Sequence, residues 1–187
     1  MSTDNPERLA IDGEGFRVGI VAARYNFNLV NSLLESVLET LDGCGVRQQD
    51  IETLRVPGSN EIPYIAAMMA KTGSFDVIIA LGLIIAGETE HHSIIAHSTA
   101  HALQSVGIRF EIPVVNGIIT VQNLRQAEDR ITGELNRGAE FAHTALEMAQ
   151  ANDSMLKRIL DQDMEDFPDD LDWMDDLEED DPEDWRK

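Results

Sequence analysis

Four of the chain's five histidines, His91, His92, His97 and His101, fall within the stretch "IIAGETEHHSIIAHSTAH" that runs from Ile84 to His101. Imidazole titrates near neutral pH, so such a cluster can move protons, hold a metal, or lend polarity to a helix. Gly87 allows a turn and Thr89 can cap the next helix, leaving backbone N–H groups free to meet an anion. A plain helix cap would use the same residues. His91 then falls in the first helical turn, where the helix dipole favours its neutral, proton-accepting form. His97 and His101 stand four apart, a spacing that can hold zinc, but no companion glutamate or third ligand accompanies them, and no metal is expected. His92 and His143 have no partner legible in the sequence. For all the histidines except His91 the expectation is packing or subunit contact.

Two further stretches carry similar groups. In "VPGSNEIP", Pro57 and Gly58 form a turn, and Glu61 opens a helix with a second proline two residues on. Glu61 can complement the helix N-terminus. Together with Ser59 and Asn60 it also offers several hydrogen-bonding groups suited to a polyol. In "ARYNFN", Tyr25 can stack on a flat heterocycle or sit as a half-buried aromatic, with Asn26 beside it. Arg130, on a later helix, reads by itself as a solvated surface arginine.

The elements that must position these groups follow an α/β rhythm of short β-branched runs, turns and longer helical stretches. Strands are expected over 16–23, 51–57, 76–85 and 112–120. Three of them read as near-continuous apolar runs, as parallel strands covered on both faces do. Helices are expected over 28–41, 60–71, 89–106 and from Asn123 onward, with a break near Thr132 and Gly133. In such sheets ligands bind beyond the carboxyl ends of the strands, which selects the loops "ARYNFN", "VPGSNEIP", "LIIAGETEHH" and "NGIITVQN".

At 187 residues with 43% hydrophobic content, the chain suits one ordinary domain with a real core. Its acidic opening residues do not read as a signal peptide, and its longest apolar run is far short of the roughly 20 residues that span a bilayer. A cytoplasmic protein is expected. The lone Cys44 excludes an intrachain disulfide and is expected to be buried near a helix end. Of the net charge of −21, residues 153–187 supply −12, sixteen acids against four bases, and the rest −9, nineteen against ten. A body this acidic disfavours nucleic acid. The division expected is an arm over 1–15, a domain over 16–152 and a disordered acidic tail over 153–187.

Taken together, "ARYN", "VPGSNEIP", "GETEHH" and "NGIIT" followed by Arg130 resemble lumazine synthases, over about residues 16–150. The resemblance implies a flavodoxin-like three-layer fold, a four-stranded parallel sheet with helices on both faces. It implies pentamers, alone, stacked or closed into shells, and an association with riboflavin synthase. The implied activity condenses 5-amino-6-ribitylamino-uracil with 3,4-dihydroxy-2-butanone 4-phosphate to 6,7-dimethyl-8-ribityllumazine, without cofactor or metal. Carried over to this chain, Tyr25 and Asn26 meet the pyrimidine end and Ser59, Asn60 and Glu61 the ribityl chain. Leu83, Ile84 and Ile85 line the ring pocket, and Gly87, Glu88 and Thr89 form the phosphate loop. His91 transfers protons, and Arg130 of a neighbouring subunit balances the phosphate. Asn116, a further substrate contact, stands where relatives usually carry an aromatic, as does Asn60. Ala86 replaces a frequent arginine, Leu83 a smaller residue, and Glu134 a base for which Arg137 is the nearby substitute. The alternatives are an archaeal-type riboflavin synthase, disfavoured by the GxTxH loop, and a weakened homologue serving as a shell or scaffold.

Overall fold

The computed structural model describes Leu9 and residues 11–165. Four strands, β1 (Val18–Ala23), β2 (Ile51–Val56), β3 (Val77–Ile85) and β4 (Val114–Val121), form one parallel sheet in the order β2-β1-β3-β4. The helices are α1 (Phe27–Gly43), α2 (Ile62–Lys71), α3 (His91–Phe110), α4 (Leu124–Ile131) and α5 (Arg137–Glu165).

Side chains alternate across each strand, so the sheet feeds two cores. Ile20, Ile79, Leu81 and Val115 pack with Val30 and Leu33 of α1, Ala127 of α4, and Ala142 and Leu146 of α5. Val21, Ile78 and Ala80 pack on the other face with Ile62 and Ala66 of α2 and Leu103 of α3. The result is the three-layer flavodoxin-like arrangement expected. Val77, Ile78, Ile79 and Leu81 of β3 are wholly buried. At about 1.5–3 kcal/mol per buried aliphatic side chain, that strand outweighs any single helix's intrinsic propensity, which is worth only tenths per residue.

Several boundaries differ from expectation. The stretch after β2 begins as a 3₁₀ turn, Ser59–Glu61, and becomes α-helical only at Ile62, with Pro63 in the first helical turn where its missing N–H costs nothing. Helix α3 starts at His91 with Glu90 in the cap position, so Thr89 is not the cap. It also runs past Gly107 to Phe110. That glycine serves the returning chain: Ile112 N–H donates to its carbonyl at 3.2 Å, and a Cβ there would lie 3.1 Å from the Ile112 oxygen. Strand β4 begins at Val114 because Pro113 has no N–H to donate, although its carbonyl accepts from Ile78 at 3.0 Å.

The compact α/β unit ends at Asp153, and a second unit begins at Ser154. Helix α5 continues to Glu165, so residues 153–165, expected as disordered tail, are helical. The rest of that expected tail, 166–187, lies outside the described residues, as does most of the expected arm. The last residues of the arm are ordered against the body: Ile11 is buried, and Gly13 N–H donates to the Cys44 carbonyl at 2.7 Å.

Candidate active site

The loops after β1, β2 and β3 converge on one cleft of about 630 Å³ at the carboxyl edge of the sheet. This is where the strand order switches, since the chain leaves β1 for β2 on one side and returns as β3 on the other.

The first loop is fixed at both sides. Arg24 and Tyr25 donate backbone N–H groups to the carbonyls of Val56 and Pro57 at 2.8 and 3.1 Å. Asn26 adopts a left-handed backbone, φ 55°, which asparagine tolerates better than most residues, and its Nδ2 donates to the Leu83 carbonyl at 3.0 Å. Asn26 therefore positions the loop as well as lining the cleft. Tyr25 is 74% exposed at the cleft. Of its two sequence readings, the half-buried aromatic is set aside, and the ring is open to a planar ligand.

In the second loop, Ser59 is buried and packs so closely on β3 that a Cβ at Gly82 would meet its Oγ at 2.5 Å. Any side chain at 82 would have to displace the Ser59 hydroxyl. Asn60 and Glu61 are exposed, and their side chains approach each other at 3.4 Å, which leaves both with spare hydrogen-bonding capacity.

The third region combines an apolar wall, Leu83, Ile84 and Ile85, with an exposed turn. Gly87, Thr89 and His91 line the cleft; Glu88 lies between two lining residues without being one. His92, Ile94, Ile95 and Ser98 also line it, and the sequence reading did not name them for the site. The signal was present, because 94, 95 and 98 lie three, four and seven residues beyond His91 and share its helix face. His92 has a partner after all: its Nδ1–H donates to the Thr89 carbonyl at 2.9 Å.

The other histidines stand elsewhere. His97 Nδ1–H donates to the Ser93 carbonyl at 2.7 Å, within its own helix. His143 Nδ1 lies 4.0 Å from Cys44 Sγ, and burial pushes the Cys44 thiol up from its ordinary value. No set of three histidine, cysteine or acidic side chains placed to hold a metal ion occurs among the described residues.

Besides Glu88, two expected site residues do not line this cleft. Asn116, on β4, lines a separate cleft of about 620 Å³ with His101, Gln104 and Phe141. Arg130 lies on α4, its Nη1 donating to the Gln126 carbonyl at 3.0 Å. Asn123 caps that helix by accepting from Gln126 N–H at 3.0 Å, while Gln126 Oε1 accepts from Gln122 N–H at 2.9 Å. Arg137 is engaged in an ion pair with Glu140.

An exposed aromatic, an amide and carboxylate pair, an apolar wall, an exposed turn and an imidazole thus share one cleft of the size and mixed lining that small-molecule sites have. Residues 15–153 match the family model of 6,7-dimethyl-8-ribityllumazine synthase. Similar proteins from several organisms carry that name. One from Polaromonas is 37% identical over 145 residues, 78% of this chain and 92% of its own length. One from Thermococcus gammatolerans is 39% identical over 137 residues, 73% and 88% respectively. One from Arabidopsis thaliana, described as chloroplastic, is 40% identical over 148 residues, covering 79% of this chain and 65% of that protein. This chain belongs to the 6,7-dimethyl-8-ribityllumazine synthase family.

Proposed function

We propose that the chain condenses 5-amino-6-ribitylamino-uracil with 3,4-dihydroxy-2-butanone 4-phosphate to 6,7-dimethyl-8-ribityllumazine, a transferase step of riboflavin synthesis. The observation that carries this reading is the single cleft in which Tyr25, Asn60, Glu61, Gly87 and His91 come together. The substrate's own amine is the nucleophile. Its nitrogen attacks the ketone carbonyl, a C–N bond forms and water leaves; the phosphate departs with the electrons of its C–O bond, and the ribityl-bearing nitrogen then attacks the second carbonyl this creates, a second water leaving as the ring closes. The protein's tasks are therefore alignment, proton transfer and charge compensation. Tyr25 stacks on the pyrimidine, held by Asn26, and Ser59, Asn60 and Glu61 bind the ribityl hydroxyls. Leu83, Ile84 and Ile85 form the ring wall. Gly87, Glu88 and Thr89 hold the phosphate through backbone N–H groups, and His91 relays protons between the reacting amine and the leaving oxygens.

Arg130 and Asn116 then come from a neighbouring copy, in a pentamer or a multiple of pentamers. Their position away from the chain's own cleft supports that division. Association with riboflavin synthase and a cytoplasmic location belong to the same reading; among the described residues no helix is long and apolar enough to cross a membrane. Incubating the full chain with both substrates tests the proposal. Lumazine absorbance and inorganic phosphate should rise together, and neither should rise when one substrate is omitted. Assembly without turnover would favour the scaffold reading instead.

A further inference from the structure

The turn Gly87–Glu90 is exposed at every residue, and Glu90, in the cap position of α3, makes no side-chain cap bond. Thr89 Oγ1 makes no hydrogen bond among the described residues. Besides the backbone bonds of the first helical turn, from Ser93 and Ile94 to the Glu90 carbonyl, one side chain among the described residues bonds to the turn. It is His92, whose Nδ1–H donates to the Thr89 carbonyl at 2.9 Å while its ring lines the cleft. A carbonyl can only accept, so Nδ1 must carry the proton.

We infer that His92 is a positioning residue that holds the turn in the conformation in which its N–H groups face the anionic end of the substrate. Pinning the Thr89 carbonyl fixes the orientation of the next peptide plane and keeps the adjoining N–H groups turned together. Without that bond the turn must be ordered each time an anion binds, and affinity falls by the fraction of time it is not. This inference rests on the reading of Gly87, Glu88 and Thr89 as the phosphate loop.

The test separates the donor from the ring. His92→Phe keeps a ring and loses the donor, whereas His92→Asn places an amide N–H near the position of Nδ1. Loss of one net hydrogen bond predicts that His92→Phe raises KM for the phosphorylated substrate roughly 3- to 10-fold, with KM for the amine unchanged and kcat little altered. His92→Asn should recover most of the loss. Inorganic phosphate binding, measured by calorimetry on the full chain, should show the same order. Melting temperatures show whether each variant folds, and a second pair, His92→Leu without a donor and His92→Ser with a hydroxyl that can reach the carbonyl three residues back, replaces any that does not. An unchanged KM in His92→Phe, an equal rise for both substrates, or no recovery in His92→Asn would overturn the inference. If the unmutated chain forms no lumazine yet binds phosphate with the expected order among variants, the positioning role stands and the assigned reaction fails.

Discussion

At the residue scale, His91 and Arg130 are predicted to fail in different ways. His91→Ala should lower kcat roughly 10- to 1,000-fold with little change in phosphate binding, the size of a general acid–base contribution. Arg130→Ala should chiefly raise KM for the phosphorylated substrate, since a guanidinium supplies charge and does not titrate. His97, bonded within its own helix, should tolerate alanine at near-normal rates. Steady-state kinetics on the three variants separates these outcomes, and equal losses at His91 and His97 would mean that the wrong histidine is assigned. Gly82 is a residue-scale prediction of another kind. An added Cβ meets Ser59 Oγ at 2.5 Å, so Gly82→Ala should cost about 1–3 kcal/mol of stability by overpacking and should disturb the second loop. Denaturant unfolding measures the first effect and KM for the ribityl substrate the second.

At the scale of elements, the cap of α4 is open to test. Asn123→Ala removes the side-chain acceptor for Gln126 N–H and should destabilise by about 1 kcal/mol, read as a lower melting temperature. Because α4 carries Arg130, phosphate affinity should fall with it. Three of the four strands were legible because buried parallel strands write themselves as apolar runs such as Val77–Ile85; β2, only partly buried and carrying Glu52 and Arg55, was legible from the α/β rhythm and the turn that follows it. Element ends were less so, where one residue served two purposes. The third helix was expected to end at 106, yet Gly107 lies inside α3, because a glycine that admits a neighbouring backbone looks the same in sequence as one that ends a helix. Thr89 read as a cap although its side chain caps nothing. That Gly87, Thr89 and His91 line one cleft with Tyr25 and Glu61 was legible from loop chemistry. Ile94, Ile95 and Ser98 were not named because they look like ordinary helix residues until the cleft is known to extend along α3. Acid-rich composition made residues 153–165 look unstructured, yet local helical hydrogen bonding carries α5 through them to Glu165.

At the scale of the molecule, the compact unit ends at Asp153, and we propose that the segment beyond it is dispensable for the reaction. A chain cut after Asp153 should keep its assembly by light scattering and its rate, and loss of either would assign the acidic segment a structural role. The central claim is that the cleft is completed by another copy, with His91 and Arg130 reaching one substrate from different subunits. Co-expression of His91→Ala with Arg130→Ala tests it most directly. With the phosphorylated substrate held well below the raised KM of Arg130→Ala, each variant alone should be crippled. Random mixing in a ring would pair an intact His91 with an intact Arg130 at roughly a quarter of the sites, so lumazine formation should return to about that share of the unmutated rate. Mixed assemblies no more active than the variants made separately would contradict the account.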